Sequence, residues 1–192
     1  MTFSSARTQA VQIAREKLNL KPLYLDTETT GIGPGAELVE ICVIDDFEQV
    51  ILNSLVKPMQ RIPPEATQIH GITNEMVRAA PSWVEIWPQV TAVLDNRLVG
   101  VYNADFDARL IKQTLYRYRL SWQSKPNTQF FCIMKLYAQF RGEWNSAYRD
   151  YRWYSLERAG LFSNIALPNS HRAFDDTRLA RAILHHIAGQ II

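Results

Sequence analysis

Pro22-Leu23-Tyr24-Leu25-Asp26-Thr27-Glu28 reads as a short apolar strand, over about 22–27, that ends on two carboxylates one residue apart. Side chains alternate sides along a strand, so Asp26 and Glu28 share one face. A close carboxylate pair repels itself unless positive charge sits between its members. Hard divalent cations with oxygen ligands are the natural partners. Alone, such a pair more often means a turn acid beside a solvated glutamate. The rest of the chain therefore decides what it is for.

Working outward, Val99-Gly100-Val101-Tyr102-Asn103 is a second apolar strand, leading into Ala104-Asp105-Phe106-Asp107. A helix from Ala104 to about Arg119 puts Asp107 in its first turn, where a helix-dipole acid is also at home. Asp105 is the more natural solvent-facing acid of the two. Near the C-terminus His171 precedes Asp176 by five positions, roughly a turn and a half of helix. His171 then falls at or just before a closing helix over about 172–188, with Asp176 fixed inside it. Four separated acids and one histidine have the composition of a two-metal hydrolytic site.

The remaining chain is organised as alternating strands and helices. Residues 4–19 are expected to form an amphipathic helix capped by Ser4 or Ser5, with Ala10, Ile13, Ala14 and Leu18 at helical spacing. Strands follow at about 37–45 and 49–57, joined as a hairpin around Asp45-Asp46. Short helical turns occupy about 63–80. Ser82 caps a helix through Leu94 whose apolar face is Trp83, Ile86, Trp87, Val90 and Leu94, with Pro88 a candidate kink. Residues 129–133 are a fifth strand, 141–154 an aromatic and basic loop, and Ser155 starts a short helix. The order implies a five-stranded mixed sheet with helices on its faces, an α/β class, plus an extra N-terminal helix.

Bulk properties exclude several classes. The 192 residues fit one domain; 47% are hydrophobic and the net charge is only +2, which does not by itself announce nucleic acid. The two cysteines, Cys42 and Cys132, fall in apolar strands and read as buried reduced thiols, with no zinc-type spacing. No run approaches the ~18 apolar residues of a membrane span, and the N-terminus has no apolar signal core. A cytoplasmic protein without membrane partners is expected.

Together these residues resemble the DEDDh, or DnaQ-like, 3′–5′ exonucleases, a family that includes polymerase proofreading subunits and RNase T-type enzymes. The first motif stands as Leu25-Asp26-Thr27-Glu28-Thr29-Thr30-Gly31. The second stands as Tyr102-Asn103-Ala104-Asp105-Phe106-Asp107, and the third as His171-Arg172-Ala173-Phe174-Asp175-Asp176. Ile69-His70-Gly71-Ile72-Thr73, with Glu65 ahead of it, is a subsidiary match. The resemblance runs from about residue 22 to 188, and gives domains of 1–20 (helical extension) and 21–192 (exonuclease). Tyr102 departs from the histidine many relatives carry there, and altered packing is expected of it. The helix at 4–19 and the length of loop 141–154 also depart.

The resemblance implies an RNase H-like fold and two divalent cations, Mg²⁺ or Mn²⁺. It implies that Asp26, Glu28 and Asp176 hold one ion, that Asp26 and Asp107 serve the second, and that His171 is the general base. Thr29, Thr30, Glu65, His70, Asn103 and Phe106 become candidate substrate contacts. Phe106 can equally be core, and His70 a loop brace. Arg149 and Arg152, among the aromatics of 144–154, are candidates for a nucleic-acid path; the same loop can instead be anchored by Trp153 and Tyr154 with its arginines solvated. The implied activity is cleavage of single-stranded DNA, or RNA, from the 3′ end. The alternatives are a proofreading subunit bound to a polymerase or repair partner, and a non-catalytic binding module. No clamp-binding segment rich in Gln and Leu appears at the C-terminus, which favours a stand-alone enzyme. The N-terminal helix can pack on its own domain, form a homodimer or dock a partner.

Overall fold

The computed structural model describes residues 3–120 and 127–191. Among these, the chain runs α1 (Phe3–Asn19), β1 (Leu23–Thr29), β2 (Leu38–Ile44), β3 (Val50–Leu55), α2 (Pro64–His70), α3 (Trp83–Leu94) and β4 (Leu98–Val101). It continues through α4 (Ala104–Arg117), β5 (Gln129–Cys132), α5 (Ile133–Arg141), β6 (Trp144–Asn145), β7 (Asp150–Tyr151), α6 (Leu156–Phe162) and α7 (Ala173–Ala188).

Five strands form one mixed sheet in the order β3-β2-β1-β4-β5, as the pattern of elements predicts. β1 is its axis. It pairs antiparallel with β2, placing Asp26 opposite Cys42 and Glu28 opposite Glu40. It pairs parallel with β4, Leu25 beside Val101. The two-residue period of β1 sends Leu23 and Leu25 into a core shared with α3 and α4. Tyr24 goes to the opposite core, built with α1, α5 and α7. Asp26 and Glu28 continue the Tyr24 row, so they leave the apolar interior on the α7 side. β4 ends at Val101, and α4 starts three residues later, at the same end of the sheet as the acids of β1. Parallel strands place sites at their carboxyl ends for this reason.

Several expectations are met in detail. Trp83, Ile86, Trp87, Val90 and Leu94 are the buried face of α3. Its start is fixed by the Glu85 carboxylate, which accepts from the Ser82 backbone N–H and from its hydroxyl, both at 2.7 Å. Pro88 lies inside that helix. The Ser155 hydroxyl caps α6 by accepting from the Arg158 N–H. α1 packs on α5 and α7 through buried Ala6, Ala10, Val11 and Ala14. The Arg15 guanidinium then reaches Ala188 O at 2.9 Å and Gln190 O at 2.8 Å.

Five expectations need correction. β1 runs two residues further than expected, to Thr29, so Glu28 is a strand residue with a strand partner. Ser4 and Ser5 lie inside the first turn of α1 rather than at its cap. The chain passes from β5 into α5 at Ile133 with no Gly or Pro between, so one apolar run hides two elements. Residues 141–154 contain a two-stranded ribbon, β6 with β7, whose strands are too short for periodicity to reveal. Both cysteines are free as expected, but only Cys42 is buried; Cys132 is half-buried at the β5–α5 junction. No helix among the described residues is long and apolar enough to cross a membrane.

Candidate active site

α7 crosses β1 and delivers Asp176 to the acids of the strand. One carboxylate oxygen from each of Asp26, Glu28 and Asp176 lies within 4.8 Å of the others. Asp107 approaches from the first turn of α4, buried, and its Oδ1 accepts from the Thr27 hydroxyl at 2.7 Å. Burial, then Asp107, then Glu28 hold the Asp26 carboxyl well above the usual carboxylate range. Burial, then Asp176 and Glu40, push Glu28 up to about 9. Burial likewise pushes Asp107 up to about 7, against the lowering effect of the Thr27 hydroxyl. Burial also raises Asp176. These groups resist carrying their charges together at neutral pH.

The donor set fits a hard cation. Asp176 Oδ2 accepts from the Asn169 side-chain amide at 2.7 Å, while its buried Oδ1 has no hydrogen-bond partner. A buried acceptor without a donor is costly. A divalent ion among three carboxylate oxygens would satisfy it and remove the repulsion that suppresses ionisation.

His171 stands at the start of α7 in the left-handed region, φ 52°, which is uncommon for a residue with a Cβ. Its Nδ1 lies 3.9 Å from Asp176 Oδ2, and half of its side chain is exposed. Neighbours on both sides hold that turn. The Ser170 hydroxyl donates to Asp175 Oδ2 at 2.6 Å. The Arg172 guanidinium makes a forked pair with Glu40, at 2.6 and 3.1 Å, and the Ala173 N–H adds a third bond to Glu40 at 2.9 Å.

An open cleft of about 220 Å³ collects most of these groups. All four acids and His171 line it, together with Asn103 and Phe106 of the expected contacts. Phe106 also packs on the core of α3 and α4, so it is a core residue with an edge in the cleft. Tyr102 is buried on the cleft wall and donates its hydroxyl to Tyr154 O at 2.9 Å, with Ser155 O at 3.2 Å. That fastens the start of α6, whose Ser155 and Leu156 form the facing rim.

Thr29, Thr30, Glu65, His70, Arg149 and Arg152 do not line this cleft. The Thr29 hydroxyl donates to Gly31 O at 2.7 Å, and the Thr30 hydroxyl accepts from the Glu37 N–H at 2.9 Å. His70 is buried with both ring nitrogens engaged: Nδ1 accepts from the Ile72 N–H at 3.0 Å, and Nε2 faces Thr29 O at 3.2 Å. Those partners assign the neutral Nε2–H tautomer, and burial lowers its pKa. His70 thus ties α2 to the end of β1. Glu65 is exposed on the first turn of α2. Arg149 and Arg152 belong to the ribbon and its trailing segment.

Sequence reading passed over Glu40, Thr27 and Asn169. Glu40 had a signal, being the single charge inside Leu38-Val39-Glu40-Ile41-Cys42-Val43-Ile44. Thr27 stands between two acids and carries no signal of its own. Asn169 sits in an irregular segment and carried no signal.

Comparison with known proteins agrees with this geometry. A family model described as an exonuclease, RNase_T, matches residues 23–184. An uncharacterised exonuclease, CP81, of Escherichia phage 186 is 41% identical over 181 residues, covering 92% of this chain and 93% of that protein. The epsilon subunit of DNA polymerase III of Rickettsia conorii is 30% identical over 103 residues, half of this chain and 45% of that protein. Among solved structures, exonuclease X in complex with 5′-overhanging duplex DNA superposes with a TM-score of 0.62 at 26% identity, covering 86% of this chain and 89% of that one.

Proposed function

The chain belongs to the DnaQ-like exonuclease family, and from that premise we propose that it removes nucleotides one at a time from the 3′ end of single-stranded DNA, releasing nucleoside 5′-monophosphates. The observation that carries this reading is the convergence of Asp26, Glu28 and Asp176 from β1 and α7, beside an exposed histidine. Asp26, Glu28 and Asp176 would hold one divalent cation, Mg²⁺ or Mn²⁺, and Asp26 with Asp107 a second. Bound there, such ions supply the positive charge that an anionic phosphodiester needs among four carboxylates, and stabilise attacking and leaving oxygens.

The chain's own residues do the rest. Asp176 accepts from Asn169, which fixes its carboxylate plane. Thr27 holds Asp107 in the same way. His171, with Nδ1 turned toward Asp176, takes the proton of the attacking water on Nε2. Glu40 keeps the turn that presents His171, through Arg172 and the Ala173 N–H. Asn103 and Phe106, on the cleft wall, position the terminal nucleotide. Thr29 and Thr30 shape the loop after β1, the Thr29 hydroxyl donating to Gly31 O and the Thr30 hydroxyl accepting from the Glu37 N–H. Two free thiols suit a reducing, cytoplasmic setting.

The test is hydrolysis of a 5′-labelled oligonucleotide, single-stranded or with a 5′ overhang, in Mg²⁺ or Mn²⁺ and in EDTA. A ladder shortening from the 3′ end, lost in EDTA and in a folded Asp26→Ala variant, is expected. Binding without metal-dependent cleavage would instead make the chain a binding module.

A further inference from the structure

The β6–β7 ribbon stands outside the cleft, yet it exposes Trp144, Tyr148 and Trp153 by 60, 83 and 53%. A trough of about 580 Å³ opens there, lined by Asn145, Tyr148, Asp150, Tyr151, Arg152 and Trp153. Its size suits a nucleotide. The ribbon is braced from within. Trp144 and Tyr151 are cross-strand partners with their rings edge to face at 5.4 Å. The Arg152 N–H donates to Glu143 O at 2.8 Å. Tyr154 is buried and meets Tyr137 edge-on at 5.9 Å. These contacts fix the ribbon backbone from which Tyr148 and Trp153 project, so less ordering is left for binding.

Two observations identify the occupant. The first is continuity: Ser155 and Leu156, directly after Trp153-Tyr154, line the catalytic cleft, and Tyr102 pins that junction. The second is charge. Arg141 and Arg152 share Glu143, at 3.1 and 3.9 Å, and Asp150 Oδ1 accepts from the Tyr151 N–H at 2.7 Å. Arg149, at the ribbon turn, has no acidic partner among the described residues. Aromatic faces beside arginines, running from the mouth of a hydrolytic cleft, match a polyanion with stackable bases. A purely apolar partner would leave Arg149 and Arg152 desolvated.

We infer that the ribbon binds the internal part of the single strand whose 3′ end lies in the cleft. Bases stack on Tyr148 and Trp153, and phosphates meet Arg149 and Arg152. The inference rests on the exonuclease reading for the direction of the strand. It makes the ribbon a length sensor: a dinucleotide engaged at its 3′ end is too short to reach the trough, whereas a longer strand also engages it.

The test compares kcat/KM on a dinucleotide and on a strand of about 12 nucleotides, for wild type and for the double variant Tyr148→Ala with Trp153→Ala. These side chains are exposed, and melting temperature checks the fold. The expected result is a loss of about tenfold or more on the long strand, with dinucleotide hydrolysis unchanged. Arg149→Ala with Arg152→Ala should lower the salt dependence on the long strand by a slope of about 1.4, two phosphate contacts at about 0.7 each. Equal loss at both lengths, or no loss at either, overturns the ribbon assignment. Tryptophan quenching on titration with the long strand in EDTA reads binding without cleavage. If wild type hydrolyses neither substrate yet shows quenching that Trp153→Ala abolishes, the exonuclease reading fails and the ribbon stands. If that quenching is unchanged in Trp153→Ala, the ribbon assignment fails.

Discussion

Glu40 shows how much one side chain can organise. It is buried, faces Glu28 across the β1–β2 pair, and three donors from Arg172 and Ala173 converge on it. Those donors flank His171, whose left-handed φ needs such support. Glu40→Gln keeps the shape but weakens the fork, so the general base loses its fixed position. We expect kcat to fall about tenfold or more with KM nearly unchanged, measured per folded molecule. Activity equal to wild type would reduce Glu40 to a structural role. His171→Ala is the stronger lesion: kcat should fall by about 10²–10⁴ while metal-dependent strand binding survives. Loss of binding in parallel would argue that His171 holds substrate instead. Asp26, Glu28 and Asp107 could be picked out from sequence because they follow apolar runs, and His171 and Asp176 because they complete the third motif of the family resemblance. Glu40 was hidden inside an element, and Asn169 in a stretch without pattern.

At the scale of elements, α1 and α5 show opposite cases. The period of α1 was plain, and its buried face includes the expected Ala10 and Ala14. What spacing could not give is its partners, α5 and α7, which lie more than a hundred residues away. Val11 sits fully buried in that contact. Val11→Asp should therefore cost about 3 kcal/mol or more, because the new charge has no partner. That corresponds to a lower melting temperature by roughly 6 °C or more. A shift within error would mean that α1 peels away without consequence. α5 went unread because Gln129–Arg141 changes from strand to helix inside one apolar run. Periodicity needs several turns to speak, and the junction at Cys132–Ile133 has no breaking residue.

Across the whole molecule, the acidic cleft makes stability depend on pH and on cations. Without metal, the folded state holds Glu28 up at about 9 and Asp107 up at about 7, against ordinary values of 4.5 and 3.8. Between those limits the native protein binds protons that the unfolded chain has released. Unfolding free energy must then fall as pH rises from about 4 to about 9. We expect the melting temperature in EDTA to decline across that window. Mg²⁺ or Mn²⁺ should recover most at its upper end, about 2.7 kcal/mol at a hundredfold excess over Kd. A flat or rising EDTA profile would contradict the clustered acids. The sequence by itself determined the five strands of the mixed sheet and most of its helices, because local period is written along the chain, and the acids and histidine of the cleft, because three ordered motifs resemble a known family. Only the tertiary structure decided that Asp107 hangs from Thr27, that His70 braces a loop, and that Glu40 supports the turn of His171. It also paired Trp144 with Tyr151 in a ribbon that leads into Ser155 on the cleft rim. Those facts depend on register, crossing geometry and burial between residues far apart in sequence, for which a single chain of letters carries no local signal.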